Sequence, residues 1–146
     1  SGSAVVTHSA GALELCSRKI LSTGLGVRTS SDTLIVKDSY IIADQGPALE
    51  TKGISVTCLV DGCQLKSTLN TTSASAVFIE PNSSGLRLKN CILHTLGDYS
   101  VVTTTSDSCV VSILSGVTAN KNLGPGVTAE TLAPFTVDNT FNTTIF

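Results

Sequence analysis

The sequence predicts an all-β chain wound as a right-handed parallel β-helix, a β-solenoid of about six short coils closed by a C-terminal capping or trimerisation segment. Three observations predict it. A segment that opens on a small residue and runs on into apolar and β-branched residues keeps returning, as "GLGVRT", "GPALET", "SASAVFI", "DYSVVT" and "GPGVTA". Apolar and polar residues alternate with period 2, the strand period, and no segment carries the 3.6-residue stripe of a helix. Asp38, Gly62 and Asn90, residue types that readily enter left-handed backbone conformations, stand at the same place in successive repeats, where a tight corner needs them.

Along the chain, "SGS" (residues 1–3) reads as an expression-tag remnant. "AVVT" from Ala4 begins the first coil, and its anchor lies 22 residues before Gly26. The small anchors Gly26, Ala48, Ala76, Ser100 and Gly126 follow at intervals of 22, 28, 24 and 26 residues. Between anchors come two more strand-like pieces separated by a corner: "LELCSRKIL" from Leu13, "LIVKDSYII" from Leu34, "CLVDGCQLK" from Cys58, "LRLKNCILH" from Leu86 and a looser "CVVSILSGV" from Cys109. Each coil therefore offers one strand to each of three parallel sheets. The repeat is too long for the roughly 18-residue turn of the left-handed hexapeptide solenoid, so the right-handed form is expected. The widest interval contains "KSTLNTTSAS" from Lys66, which is expected to loop outward without disturbing the strands. The helix is expected to span residues 4–129, and residues 130–146, with Phe135, Phe141 and Phe146, to cap the stack or clasp neighbours, because a bare last coil exposes strand edges.

Stacking the coils about 4.8 Å apart assembles internal columns. Leu34, Cys58, Leu86 and Cys109 form one, Val27, Leu49, Val77, Val101 and Val127 a second, and Ser39, Cys63 and Cys91 a third. Parity turns Val6, Arg28, Glu50, Phe78, Val102 and Thr128 outward on one face, with Arg28 and Glu50 placed to pair, and Ile35, Leu59 and Val110 outward on another.

A net charge of −2 with 14% charged residues leaves no basic footprint for nucleic acid, and no run reaches the roughly 20 apolar residues of a membrane span. So apolar a chain covers its own surface poorly, which argues that an outer face meets another chain. The apolar outward residues Ile35, Leu59, Phe78 and Val102, with Phe135, Phe141 and Phe146, are the expected contact residues. Five cysteines, Cys16, Cys58, Cys63, Cys91 and Cys109, are too irregular for a disulfide scaffold and read as reduced, buried, small hydrophobes.

No reaction centre stands out. Glycoside hydrolysis needs two carboxyl groups roughly 5 to 10 Å apart beside a groove. Glu50, Asp44, Asp61, Glu80 and Asp98 do not stack pairwise at an aligned outer position, and only Tyr40 and Tyr99 could offer a sugar platform. His8 and His94 lie far apart in the stack, and the Cys58–Cys63 spacing has no second pair to complete a zinc site. No nucleophile motif or phosphate loop occurs, so no catalytic, cofactor or metal residue is assigned. Sequons at Asn70, Asn82 and Asn142 are of the number that chance supplies in so Asn-, Ser- and Thr-rich a chain.

On "LIVKDSYIIADQGPALETKG", "LRLKNCILHTLGDYSVVTTT" and "LELCSRKILSTGLGVRTSS", the chain resembles, over roughly Ala4 to Ala129, the right-handed parallel β-helix repeats of pectate-lyase-like proteins and of bacteriophage tail spikes and tail fibres. That resemblance implies a virion tail appendage working outside the cell, a homotrimer locked by its C-terminal segment, and attachment to a host cell-surface glycan or protein receptor without catalysis. A polysaccharide-degrading spike fragment and a non-phage bacterial adhesin are the alternatives it leaves open. None of that family's catalytic acids has a counterpart here.

Overall fold

A computed structural model describes residues 6–8, 11–29, 32–51, 56–80, 85–103, 109–131 and 135–138. Its secondary structure is all β, in three parallel sheets. Sheet A stacks β1 (Val6–His8), β4 (Val27–Thr29), β7 (Leu49–Thr51), β10 (Val77–Ile79) and β13 (Val101–Thr103). Sheet B stacks β2 (Ala12–Cys16), β5 (Asp32–Lys37), β8 (Val56–Asp61), β11 (Leu86–Lys89), β14 (Cys109–Ile113) and β16 (Val127–Thr131). Sheet C stacks β3 (Lys19–Ser22), β6 (Tyr40–Ala43), β9 (Gln64–Ser67), β12 (Ile92–Thr95), β15 (Val117–Ala119) and β17 (Phe135–Val137). From β1 to β15 the chain visits A, B and C in turn, each strand hydrogen-bonded to its counterpart one winding on. This is a parallel β-solenoid of about four turns, fewer than the six coils counted from anchors.

The inward columns form the core. Val27, Leu49, Val77 and Val101 stand in register in sheet A and are fully buried. In sheet B the column Leu34, Cys58, Leu86 is aligned and buried as expected, and Val36, Val60 and Leu88 form a second one beside it. Ile41, Leu65 and Leu93 do the same in sheet C. Aliphatic side chains repeated at the strand spacing leave no room for water between rungs, and burying each contributes about 1.5–3 kcal/mol.

Two corners recur among the described windings. Between sheets B and C, Ser17, Asp38 and Asn90 have φ of 54°, 50° and 51°, and Gly62 has 67°, so the left-handed corner expected at Asp38, Gly62 and Asn90 is present and extends one winding further, to Ser17. Just past it, Ser39, Cys63 and Cys91 turn inward, and each donates to the carbonyl two residues back, Ser39 Oγ to Lys37 at 2.8 Å, Cys63 Sγ to Asp61 at 3.4 Å and Cys91 Sγ to Lys89 at 3.3 Å. A small donor at this place supplies a partner to a carbonyl at the bend, which explains why serine and cysteine exchange there. Between sheets C and A, the anchors Gly26, Ala48, Ala76 and Ser100 are buried and stacked through Ala48 N–H to Ala76 O and Ala76 N–H to Ser100 O. They are small because the next winding is too close: a Cβ on Gly26 would lie 2.5 Å from Ala48 O.

The last windings depart from expectation. Val127 does not join the Val101 column. Leu123 bridges to Val101, Asn122 O accepts from Ser100 N–H, and the chain turns at once through Gly126, with φ 81°, to enter sheet B with Val127 opposite Cys109. "GPGVTA" therefore copies the anchor motif in composition but serves as a turn. Without that anchor, sheet A has five strands, which bound four windings. Cys109 likewise leaves the Leu34 column, because β14 pairs Arg87 with Ser112 and Leu88 with Ile113, which brings Val111 level with Leu86. At the other end Val6 stands opposite Val27 and Thr7 opposite Arg28, so Thr7 rather than Val6 continues the Arg28 row, while Thr128 lies in sheet B opposite Val110. Stacking continues past Ala129: β16 reaches Thr131, and β17 pairs with β15, setting Phe135 opposite Val117 and against the core.

The buried polar residues at sheet C include His94 in β12 and Asn120 just past β15. Asn120 takes both hydrogen bonds of the Thr95 peptide edge, Oδ1 accepting from Thr95 N–H at 3.0 Å and Nδ2 donating to Thr95 O at 2.7 Å. His94 is 5% exposed, and burial, followed by the charges of Lys66 and Lys121, lowers its pKa from the usual 6.5. The folded protein thus favours neutral imidazole, whereas the unfolded chain takes its proton near 6.5. The contribution is complete above that pH and is lost as the pH falls through 6.5 toward the lower native pKa. Thermal melts between pH 7.5 and 5 are expected to show a falling midpoint in the native protein and a smaller fall in His94→Gln; equal slopes would rule this out.

Candidate functional site

The outward row of sheet A runs Arg28, Glu50, Phe78, Val102 in register. Strand alternation puts these side chains opposite the buried Val27–Val101 column, which is why parity alone locates them. Arg28 and Glu50 pair as expected, Nη2 to Oε2 at 3.1 Å and Nε to Oε2 at 3.2 Å. With Glu50 neutralised by its neighbour, the row passes from a charged pair to an apolar one, Phe78 beside Val102.

That apolar pair is the floor of a hollow of about 310 Å³, lined also by Tyr99, Pro125, Thr72, Ser73 and Thr103. Three separate features of the chain build its walls. The outward loop after β9 brings Thr72 and Ser73, held by a turn with Ala74 N–H on Thr71 O at 3.1 Å. Gly97 seats the next winding on this loop, and Asp98 N–H donates to Thr72 O at 3.2 Å, setting Tyr99 over the strands. The Gly124–Pro125–Gly126 turn closes the far side, its Gly124 so tight that a Cβ there would lie 3.0 Å from Val101 O and 3.5 Å from Tyr99 Cβ. No side chain of the lining carries a charge. Two aromatic rings, an aliphatic floor and a rim of hydroxyls suit a neutral ligand with an apolar face and polar edges.

The other expected contact residues are scattered. Ile35 and Leu59 are adjacent and half-buried on the outer face of sheet B. Val110 does point outward, 41% exposed, but in a different row. Phe141 and Phe146 lie outside the described residues, and so does Asn82, whereas Asn70 is exposed on the loop after β9. A second, smaller hollow of about 220 Å³, lined by Leu21, Ser22, Thr23, Ile42 and Asp44, opens on sheet C. Of the lining of the larger hollow, the sequence names Phe78 and Val102 as outward contact residues and Tyr99, with Tyr40, as a ring that could offer a sugar platform, but it does not single out Thr72, Ser73, Thr103 or Pro125; the wide interval holding "KSTLNTTSAS" is the one signal it carries for the loop.

The acids take separate places. Asp44 accepts from Thr68 Oγ1 at 2.7 Å, and Asp61 stands in register between Lys37 and Lys89. Among the described residues no three His, Cys, Asp or Glu side chains gather to hold a metal ion. Burial pushes the Cys58 and Cys63 thiols up to about 12 and raises those of Cys91 and Cys109, the last partly offset by the Thr103 hydroxyl. These four stay protonated and act as small hydrophobes. Cys16 does not fit the expectation of burial: it is exposed on the outer face of β2, and its thiol donates to Glu14 Oε1 at 3.1 Å, which raises its pKa.

Comparison with protein-family profiles, curated proteins and solved structures finds no match to this chain.

Proposed function

We propose that this protein is a structural and attachment module of the kind carried by phage tail spikes and fibres, working outside the cell and holding a cell-surface glycan or protein receptor without breaking bonds in it. The observation that carries this reading is the uncharged hollow of Phe78, Tyr99, Val102 and Pro125 on a rigid sheet face. Its volume is at the lower end of small-molecule sites, about the size for one or two rings or a single protruding side chain. A solenoid suits such work, since each winding braces only its neighbours and the outer positions vary without disturbing the core.

The test is binding of labelled protein to host cells and to an array of capsular and lipopolysaccharide glycans. Tyr99→Ala and Phe78→Ser are expected to weaken capture at least tenfold, equivalent to about 1.4 kcal/mol, with a cooperative melt retained. Wild-type protein that binds no surface, or variants that bind as well as wild type, would count against the hollow. Release of reducing ends or unsaturated sugars from the polysaccharide would replace attachment by catalysis.

A further inference from the structure

The outer face of sheet B carries a pattern that is complementary to itself. One outward row runs Glu14, Ile35, Leu59, Arg87 across four successive strands. The apolar pair is half-buried, and the two charges that bracket it are exposed. Two residues along the strands, the neighbouring row places Lys37 beside Asp61; two residues the other way, Thr33 stands beside Thr57. The Arg28–Glu50 ion pair lies on another face.

We infer that this face pairs with a second copy of the chain about a two-fold axis parallel to the strands and midway between β5 and β8. Rotation about that axis reverses the order of the windings and preserves the strand direction. Ile35 of one copy then meets Leu59 of the other, and Thr33 meets Thr57. Glu14 meets Arg87 and Lys37 meets Asp61, and symmetry makes each of these contacts twice. The alternative two-fold, along the stack, sets Glu14 against Glu14 and Arg87 against Arg87, so charge selects the first arrangement. The stretch from Glu14 to Arg87 spans three strand spacings, roughly 14 Å, and the patch is smaller than the about 800 Å² per partner of a standard interface. The dimer is accordingly weak, with dissociation in the micromolar range, and salt-sensitive.

This arrangement differs from the homotrimer implied by the resemblance. Sedimentation equilibrium of the full chain from 5 to 500 μM, about the range that brackets such affinities, is expected to give a monomer–dimer equilibrium approaching twice the 15.0 kDa chain mass. Glu14→Arg alone and Arg87→Glu alone each set like charges across the axis and are expected to weaken association at least tenfold, while the double variant E14R/R87E restores it. Both positions are exposed, so the melting midpoint serves as a folding control. A trimer, a monomer at every concentration, or single variants that associate as well as wild type would overturn the proposal.

Discussion

Val101→Asp is expected to abolish soluble folding. Val101 is fully buried in the sheet A column, opposite Val77 on one side and Leu123 on the other. A carboxylate there has no cation within the column, and burying an uncompensated charge costs several kcal/mol even after relaxation. Small domains have only about 5–15 kcal/mol to lose, and the site is where the last full winding is laid down. The expected outcome is insoluble or proteolysed protein on expression. Val101→Ala, which only removes two methyl groups, is expected to fold with about 2 kcal/mol less stability. Val102→Asp, one residue along and outward, should fold close to normally. Soluble Val101→Asp protein with an unchanged melt would mean that the column is not where the core lies.

The second large effect is expected at Gly97, from backbone crowding. A Cβ at this position would lie 1.9 Å from Ala74 O and 2.7 Å from Ala74 C, distances that no rotamer change can relieve because both atoms are main chain. Gly97→Ala must push the loop after β9 away from the winding that carries Tyr99, and it strains the Gly97 N–H to Thr95 Oγ1 bond of 3.0 Å. A loss of about 3 kcal/mol or more is expected, at or beyond the upper end of overpacking costs. The hollow should open with it, since Thr72 and Ser73 ride on the displaced loop. Gly116→Ala is the control. Nothing lies within 4 Å of the place its methyl group would occupy, so its stability should stay within about 0.5 kcal/mol of wild type. Chemical denaturation of the three proteins checks both figures, and equal midpoints for Gly97→Ala and wild type would remove the crowding argument.

Much of the fold can be read directly from particular residues. Alternation locates the Val27–Val101 and Leu34–Leu86 columns because a strand presents side chains to opposite faces whatever surrounds it. Asp38, Gly62 and Asn90 mark the corner because few other side chains tolerate positive φ. Arg28 and Glu50 pair because one repeat separates them, and one repeat is one strand spacing. Reading fails where composition imitates geometry. "GPGVTA" has the residues of an anchor but follows a winding already completed by Leu123, and Cys109 opens its strand two residues too early to align with Leu86.

Acting through local chain preferences, the sequence by itself determined the strands, their parity, the left-handed corners and hence a parallel solenoid with an aliphatic interior. Only the tertiary structure decided the register of the last windings, the close approach of Gly97 to Ala74, and the meeting of Thr72, Phe78, Tyr99 and Pro125 around one hollow. The reason is that alternation and backbone preference act within a few residues, whereas register and hollow depend on how loops of unequal length are absorbed between windings. That is settled by which side chains and carbonyls come to lie 4–5 Å apart after stacking, about one strand spacing, and no stretch of chain contains that information alone.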